Sequence, residues 1–174
     1  VFLFEPDEKG MKKVSKYILL IIVFLPLLYF RDFTPNNELK YLSIADEALR
    51  SGTYLTFTHE GSIYTDKPPL YLWLIMLCKQ LLGHHSMLLL GLFSFIPALL
   101  ILYVMEKWLS PYIPSNYLFT FSLMLITTGL FAGSAIVLRM DMLMSLFILL
   151  ALYTFYRMYT GQAGKGAKVL LPLY

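Results

Sequence analysis

The sequence predicts an all-α integral membrane fold with about four transmembrane helices and an extracytoplasmic first loop carrying amphipathic or interfacial helices. Three observations predict it. Hydrophobic residues make up 58% and charged residues 14% of the chain, against about 45–50% and about 25% in soluble domains, and mean hydropathy is +0.66. Four uncharged runs reach or approach the roughly 20 residues that cross a hydrocarbon core. Basic residues stand at the ends of those runs and form no patch, so the net charge of +3 reads as a topology signal and excludes nucleic acid as a partner. The single cysteine, Cys78, excludes an internal disulfide framework and reads as a small buried hydrophobe.

Residues 1–16 form a cytoplasmic leader, within which Met11-Lys12-Lys13 looks like a natural start and makes residues 1–10 candidates for an extraneous piece. Residues 17–31 are the first transmembrane helix. Its uncharged part runs from Tyr17 to Phe30, with the stems of Lys16 and Arg31 available to snorkel, and no small-residue cleavage site follows, so it reads as a retained anchor. Residues 32–67 form the extracytoplasmic loop. There Thr34 and Pro35 can open a surface helix whose Tyr41, Leu42, Ala45, Ala48 and Leu49 recur on one face, ending at Ser51-Gly52. The expectation is a helix lying on the membrane, with Asp46 and Arg50 as a surface ion pair. Tyr54–Thr58 and Ser62–Tyr64 then flank His59-Glu60-Gly61 as an extended or hairpin-like connection.

Residues 68–83 read as an interfacial helix, with Pro68 and Pro69 in its first turn and Gly83 as its stop, because its length of about 22 Å falls short of the hydrocarbon core. If this helix does not cross, Lys12, Lys13, Lys16, Lys107, Arg157, Lys165 and Lys168 share one side, which the positive-inside rule makes cytoplasmic. Residues 86–106, 115–138 and 141–159 are the second, third and fourth transmembrane helices. Residues 160–174 are a cytoplasmic linker and the start of a further, truncated span. The loop, the His84-His85 turn and Arg139-Met140-Asp141 then all face outside.

The candidate chemistry lies on that face. Lys67 precedes a double proline and an apolar helix, beside the positive end of a helix dipole, which attracts phosphate; a snorkelling anchor is the structural alternative. Asn36, Asn37 and Glu38 stand in a first turn, where capping alone explains them equally well. Arg139 and Asp141 bracket the start of the fourth span, and an ionisable residue there is a functional candidate, with helix-dipole compensation as the alternative. His84 and His85 are adjacent and cannot both face one metal from a helix, so they read as a solvated turn. The 13 Tyr and 13 Phe suit interface belts. A transporter would place its ionisable residues near the span centres; their position at the outer ends favours an enzyme, with a non-catalytic scaffold as the remaining alternative.

The succession of a first span, Asn37-Glu38-Leu39-Lys40-Tyr41, Ala48-Leu49-Arg50-Ser51-Gly52, Tyr64-Thr65-Asp66-Lys67-Pro68-Pro69-Leu70 and Arg139-Met140-Asp141-Met142-Leu143 resembles the C-type membrane glycosyltransferases. Within them it is most similar to bacterial members akin to the lipid A aminoarabinose transferase and the protein O-mannosyltransferases. The resemblance runs from about Tyr17 to Tyr159 and implies the N-terminal part of a larger polytopic enzyme. Such an enzyme sits in the bacterial inner membrane and moves a sugar from a polyprenyl-phosphate donor to a lipid, glycan or protein acceptor. It implies catalytic roles at Glu38, Asp141 and the position of Asn37, phosphate contacts from Lys67, Lys40 and Arg139, and a divalent metal at Asp66. Asn37 departs from the family, which has an acid there; an amide cannot take a proton as a carboxylate does, so either Glu38 or Asp141 takes that role, or this member is altered in activity or acceptor.

Overall fold

A computed structural model describes residues 8–35, 37–66 and 69–162. Helix α1 (Glu8–Phe30) runs without interruption from the expected leader into the first apolar run, and α2 (Glu38–Ser51) follows a short turn. Strands β1 (Phe57–His59) and β2 (Ser62–Tyr64) pair antiparallel with Phe57 opposite Tyr64. Helices α3 (Pro69–Leu82), α4 (Met87–Leu109), α5 (Ser115–Thr127), α6 (Gly129–Ile136) and α7 (Asp141–Tyr159) complete the order.

Helix α4 is the central post. Leu28 of α1 lies against Gly91, Phe24 stacks on Phe95 at 5.5 Å, and Lys16 pairs with Glu106, so α1 and α4 run antiparallel. Helix α7 runs parallel to α4: Ser94, near the start of α4, meets Arg139 just before α7, and Trp108, near its end, meets Tyr153 and Tyr156. Phe24, Leu28, Phe95, Ala98, Leu102, Ile126, Ala135 and Leu146 form the core of this bundle. A second core caps one end, where Leu42, Ile44, Ala45 and Ala48 of α2 pack with Phe57 of β1 and Leu72, Ile75 and Met76 of α3. The apolar face of α2 is therefore spent on protein, and the expectation of a helix resting directly on lipid gives way to one resting on the hairpin and α3.

Two helices are long and apolar enough to cross a membrane, α4 and α7, and α5 with α6 makes a third if the bent pair is one span. About four were expected. The apolar part of α1, Ser15–Phe30, is roughly 24 Å long, short of a typical core by itself. The run read as one span over 115–138 is broken by a 68° bend. Thr128 adopts an extended conformation between the two helices, and the Thr127 and Thr128 hydroxyls donate to the Leu123 and Met124 carbonyls. Side-chain donors of this kind re-satisfy backbone freed by a break at membrane depth.

Candidate functional site

The capped end of the bundle is tied together by one carboxylate. Glu38, the first residue of α2, is fully buried. Arg31 donates to it through both terminal nitrogens, at 2.8 and 2.6 Å, the planar fork that a guanidinium presents to a carboxylate. The backbone N–H of Thr34 donates at 2.7 Å and that of Leu138 at 2.5 Å. Burial alone would push the Glu38 carboxyl up, but the Arg31 fork and the two backbone donors outweigh it and hold the pKa below the ordinary value of 4.5. Glu38 thus joins the turn after α1, the start of α2 and the link between α6 and α7. Capping by Thr34 is not how α2 begins: Asn37 is its cap residue, without a side-chain cap bond.

Three other predicted site residues stand near the same end and reach solvent. Ser94 of α4 donates to the Arg139 carbonyl at 3.1 Å and accepts from its N–H at 3.2 Å, which fixes the backbone beside Leu138. Arg139 Nε meets Asp141 Oδ2 at 2.9 Å, with both side chains exposed. Asn37 is exposed, and its carbonyl accepts from the N–H of Tyr41.

On α2, Lys40 Nζ is 3.9 Å from Asp66 Oδ2 and 4.9 Å above the Tyr64 ring. Burial, then Tyr41 and Asp66, push the Tyr64 hydroxyl up to about 12. Lys67 and Pro68 lie outside the described residues, as does Asn36. Among the described residues no group of three or more His, Cys, Asp or Glu could hold a metal ion, and the neighbour that Asp66 has is an ammonium.

Two readings of the surroundings change. Asp46 does not pair with Arg50 but with Lys79 of α3 at 2.5 Å and with His85 at 2.8 Å, because α2 lies against α3. Burial opposes this, yet the two donors hold the Asp46 pKa below 3.8. His85 accordingly is a partner of α2, while His84 is exposed in the turn. Arg31 and Ser94 were missed as site residues. Arg31 reads in sequence as a snorkelling end residue, and Ser94 as a small residue in an apolar helix; only the turn after α1 and the packing of α4 beside the start of α7 bring them to Glu38 and Arg139.

A helical bundle with a capping layer of short helices and a hairpin, and charged residues gathered at the capped end, is a fold found in part of a solved polytopic membrane glycosyltransferase. The particular likeness is to the crystal structures of ArnT, the lipid A aminoarabinose transferase, from Cupriavidus metallidurans. The apo form and the form bound to undecaprenyl phosphate both match with a TM-score of 0.68, at 19% and 20% identity, over 83% and 84% of this chain and 27% of theirs. An uncharacterized protein of Aquifex aeolicus (strain VF5) is 26% identical over 160 residues, which is 86% of this chain and 31% of that one. No family model matches. The likeness establishes the fold, and the chain spans about a third or less of the length of the proteins it matches.

Proposed function

We propose that this chain forms part of a glycosyltransferase of the bacterial inner membrane. It would take a sugar from a polyprenyl-phosphate donor and transfer it to a lipid, glycan or protein acceptor at the extracytoplasmic face, with its N-terminus in the cytoplasm. The observation that carries the reading is the juxtaposition at the capped end of two cations, Lys40 and Arg139, with two carboxylates that reach solvent, Asp66 and Asp141, on the fold of an enzyme solved with undecaprenyl phosphate. In this reading Lys40, Arg139 and Lys67 stabilise the charge that develops on the departing phosphate. Asp141 removes the acceptor hydroxyl proton as the acceptor oxygen bonds to the anomeric carbon and the bond from that carbon to the phosphate oxygen breaks, which inverts the centre. Glu38 holds the site and does not take the proton, because both its oxygens are occupied by donors. Asn37, exposed at the start of α2, is available to a sugar or acceptor hydroxyl through its amide. A divalent cation at Asp66 would need ligands beyond the described residues.

The test is sugar transfer from radiolabelled polyprenyl-phosphate sugars by the membrane-embedded full-length protein. Loss of a general base typically costs about 10²–10⁴-fold, so Asp141→Asn should fall by that order and Lys67→Ala should fall with it, both at unchanged expression and folding. Transfer indifferent to both changes would overturn the assignment.

A further inference from the structure

Glu47 follows Lys40 by two turns of α2, and the two residues meet opposite ends of the hairpin. At the turn, Thr58 Oγ1 of β1 donates to Glu47 Oε1 at 2.5 Å. The N–H groups of Gly61 and Glu60 direct partial positive charge at the same carboxylate. That turn has φ +53° at Glu60 and +78° at Gly61, and a positive φ at a glutamate persists only where its surroundings enforce it. At the other end, Lys40 contacts the Tyr64 ring and Asp66. The spacings match: seven helical residues rise about 10 Å, and the three or four extended residues after Gly61 cover about 10–13 Å. Phe57, opposite Tyr64 in the ladder, is buried in the core shared with α2, so the hairpin lies along the helix, gripped at both ends.

We propose that Glu47 is a positioning residue: by holding the hairpin turn it fixes β2 against α2, and so sets where Asp66 stands beside Lys40, the cation that corner offers to the phosphate of the donor. This rests on the phosphate-binding reading of that corner. Glu47 and Thr58 pair with each other, so their effect should appear in donor binding and hairpin mobility, not in global stability.

The experiment uses the full-length protein in nanodiscs, measuring amide hydrogen exchange over residues 57–66, affinity for undecaprenyl phosphate, and thermal stability. Glu47→Ala should speed exchange across the hairpin by about tenfold or more and weaken phosphate binding by about tenfold at an unchanged melting temperature. Thr58→Val should do the same to a lesser degree, and Glu47→Gln, whose amide oxygen still accepts, should recover most of both. Unchanged exchange in Glu47→Ala and Thr58→Val overturns the clamp. Faster exchange with unchanged affinity overturns its link to the site. Normal binding by Lys67→Ala would instead sink the phosphate reading, and the exchange rates would still decide the clamp separately.

Discussion

Two glutamates are buried at opposite ends of the bundle, and each is held by a basic residue, Arg31 just after α1 or Lys16 within it, but they are held by different things. Glu38 takes the Arg31 fork and two backbone N–H groups. Glu106, near the end of α4, takes Lys16, the Tyr17 hydroxyl at 3.2 Å and the Ser122 hydroxyl of α5. The first knot fixes the course of the backbone, in the turn after α1 and in the link before α7. The second joins side chains of three helices and leaves the backbone to its own ladders. One end is built to hold loops in a set shape, as a site requires; the other is built to hold helices together.

The largest expected effect is at Glu38. Glu38→Leu leaves the half-buried Arg31 without its anion and strands two N–H groups, and breaking a buried pair costs about 3–5 kcal/mol, measurable as a loss of thermal stability in detergent or nanodiscs. Its pH dependence has a definite sign. The folded pKa lies below 4.5, so the stabilisation is complete above the unfolded value and is lost as pH falls through the folded one. The stability gap between wild type and Glu38→Gln should therefore hold steady from neutral pH down to about 4.5 and narrow only below it. A gap that narrows well above that value would remove the ion pair from the account.

Next comes the opposite end, where Lys16→Met should destabilise by about 1–3 kcal/mol, less than the Glu38 change because Tyr17 and Ser122 still donate to Glu106. The comparison sharpens with paired replacements. Apolar residues at both Lys16 and Glu106 should recover much of the loss, since no charge remains buried alone. Apolar residues at both Arg31 and Glu38 should not, because the N–H groups of Thr34 and Leu138 stay unpaired. Equal recovery at the two ends, read from the four melting temperatures, would erase the distinction between a backbone knot and a side-chain knot.

The difference also explains what could be read from the sequence. Apolar runs and their basic ends were legible because the bilayer imposes length and charge placement on composition. So was the hairpin, through its Glu60-Gly61 turn. The break at Thr128 was not, since Thr-Thr-Gly inside an apolar run is compatible with a continuous span until its packing is known. Among the site residues, sequence position alone grouped Lys40, Asp66, Arg139 and Asp141 near one face. Glu38 carried no sign of its burial, because its partners Arg31 and Leu138 lie 7 and 100 positions away, and nothing local distinguishes a first-turn acid that faces solvent from one that faces a guanidinium. Glu106 was similarly silent, as an acid at the end of an apolar run reads as solvated.

The smallest effect lies between the knots, where Leu28 of α1 packs on Gly91 of α4. A Cβ added at Gly91 would stand 2.9 Å from Leu28 Cδ2, with the Ile136 carbonyl at 3.8 Å. Leu28 is itself fully buried, so it must turn within a filled space, and overpacking of this kind costs about 1–3 kcal/mol, here near the low end because the clash is with the tip of a flexible chain. Gly91 is one turn before Ser94, and Leu28 is three residues before Arg31, so the displacement should reach the Glu38 knot first. Gly91→Ala is therefore expected to raise hydrogen exchange around Thr34 and Leu138 while leaving residues 16–20 and 104–108 unchanged. Leu28→Val in the same chain should reverse it by removing the methyl reach that collides. Exchange rising equally at both ends would mean that the helices separate as rigid bodies and that the two knots are not independent.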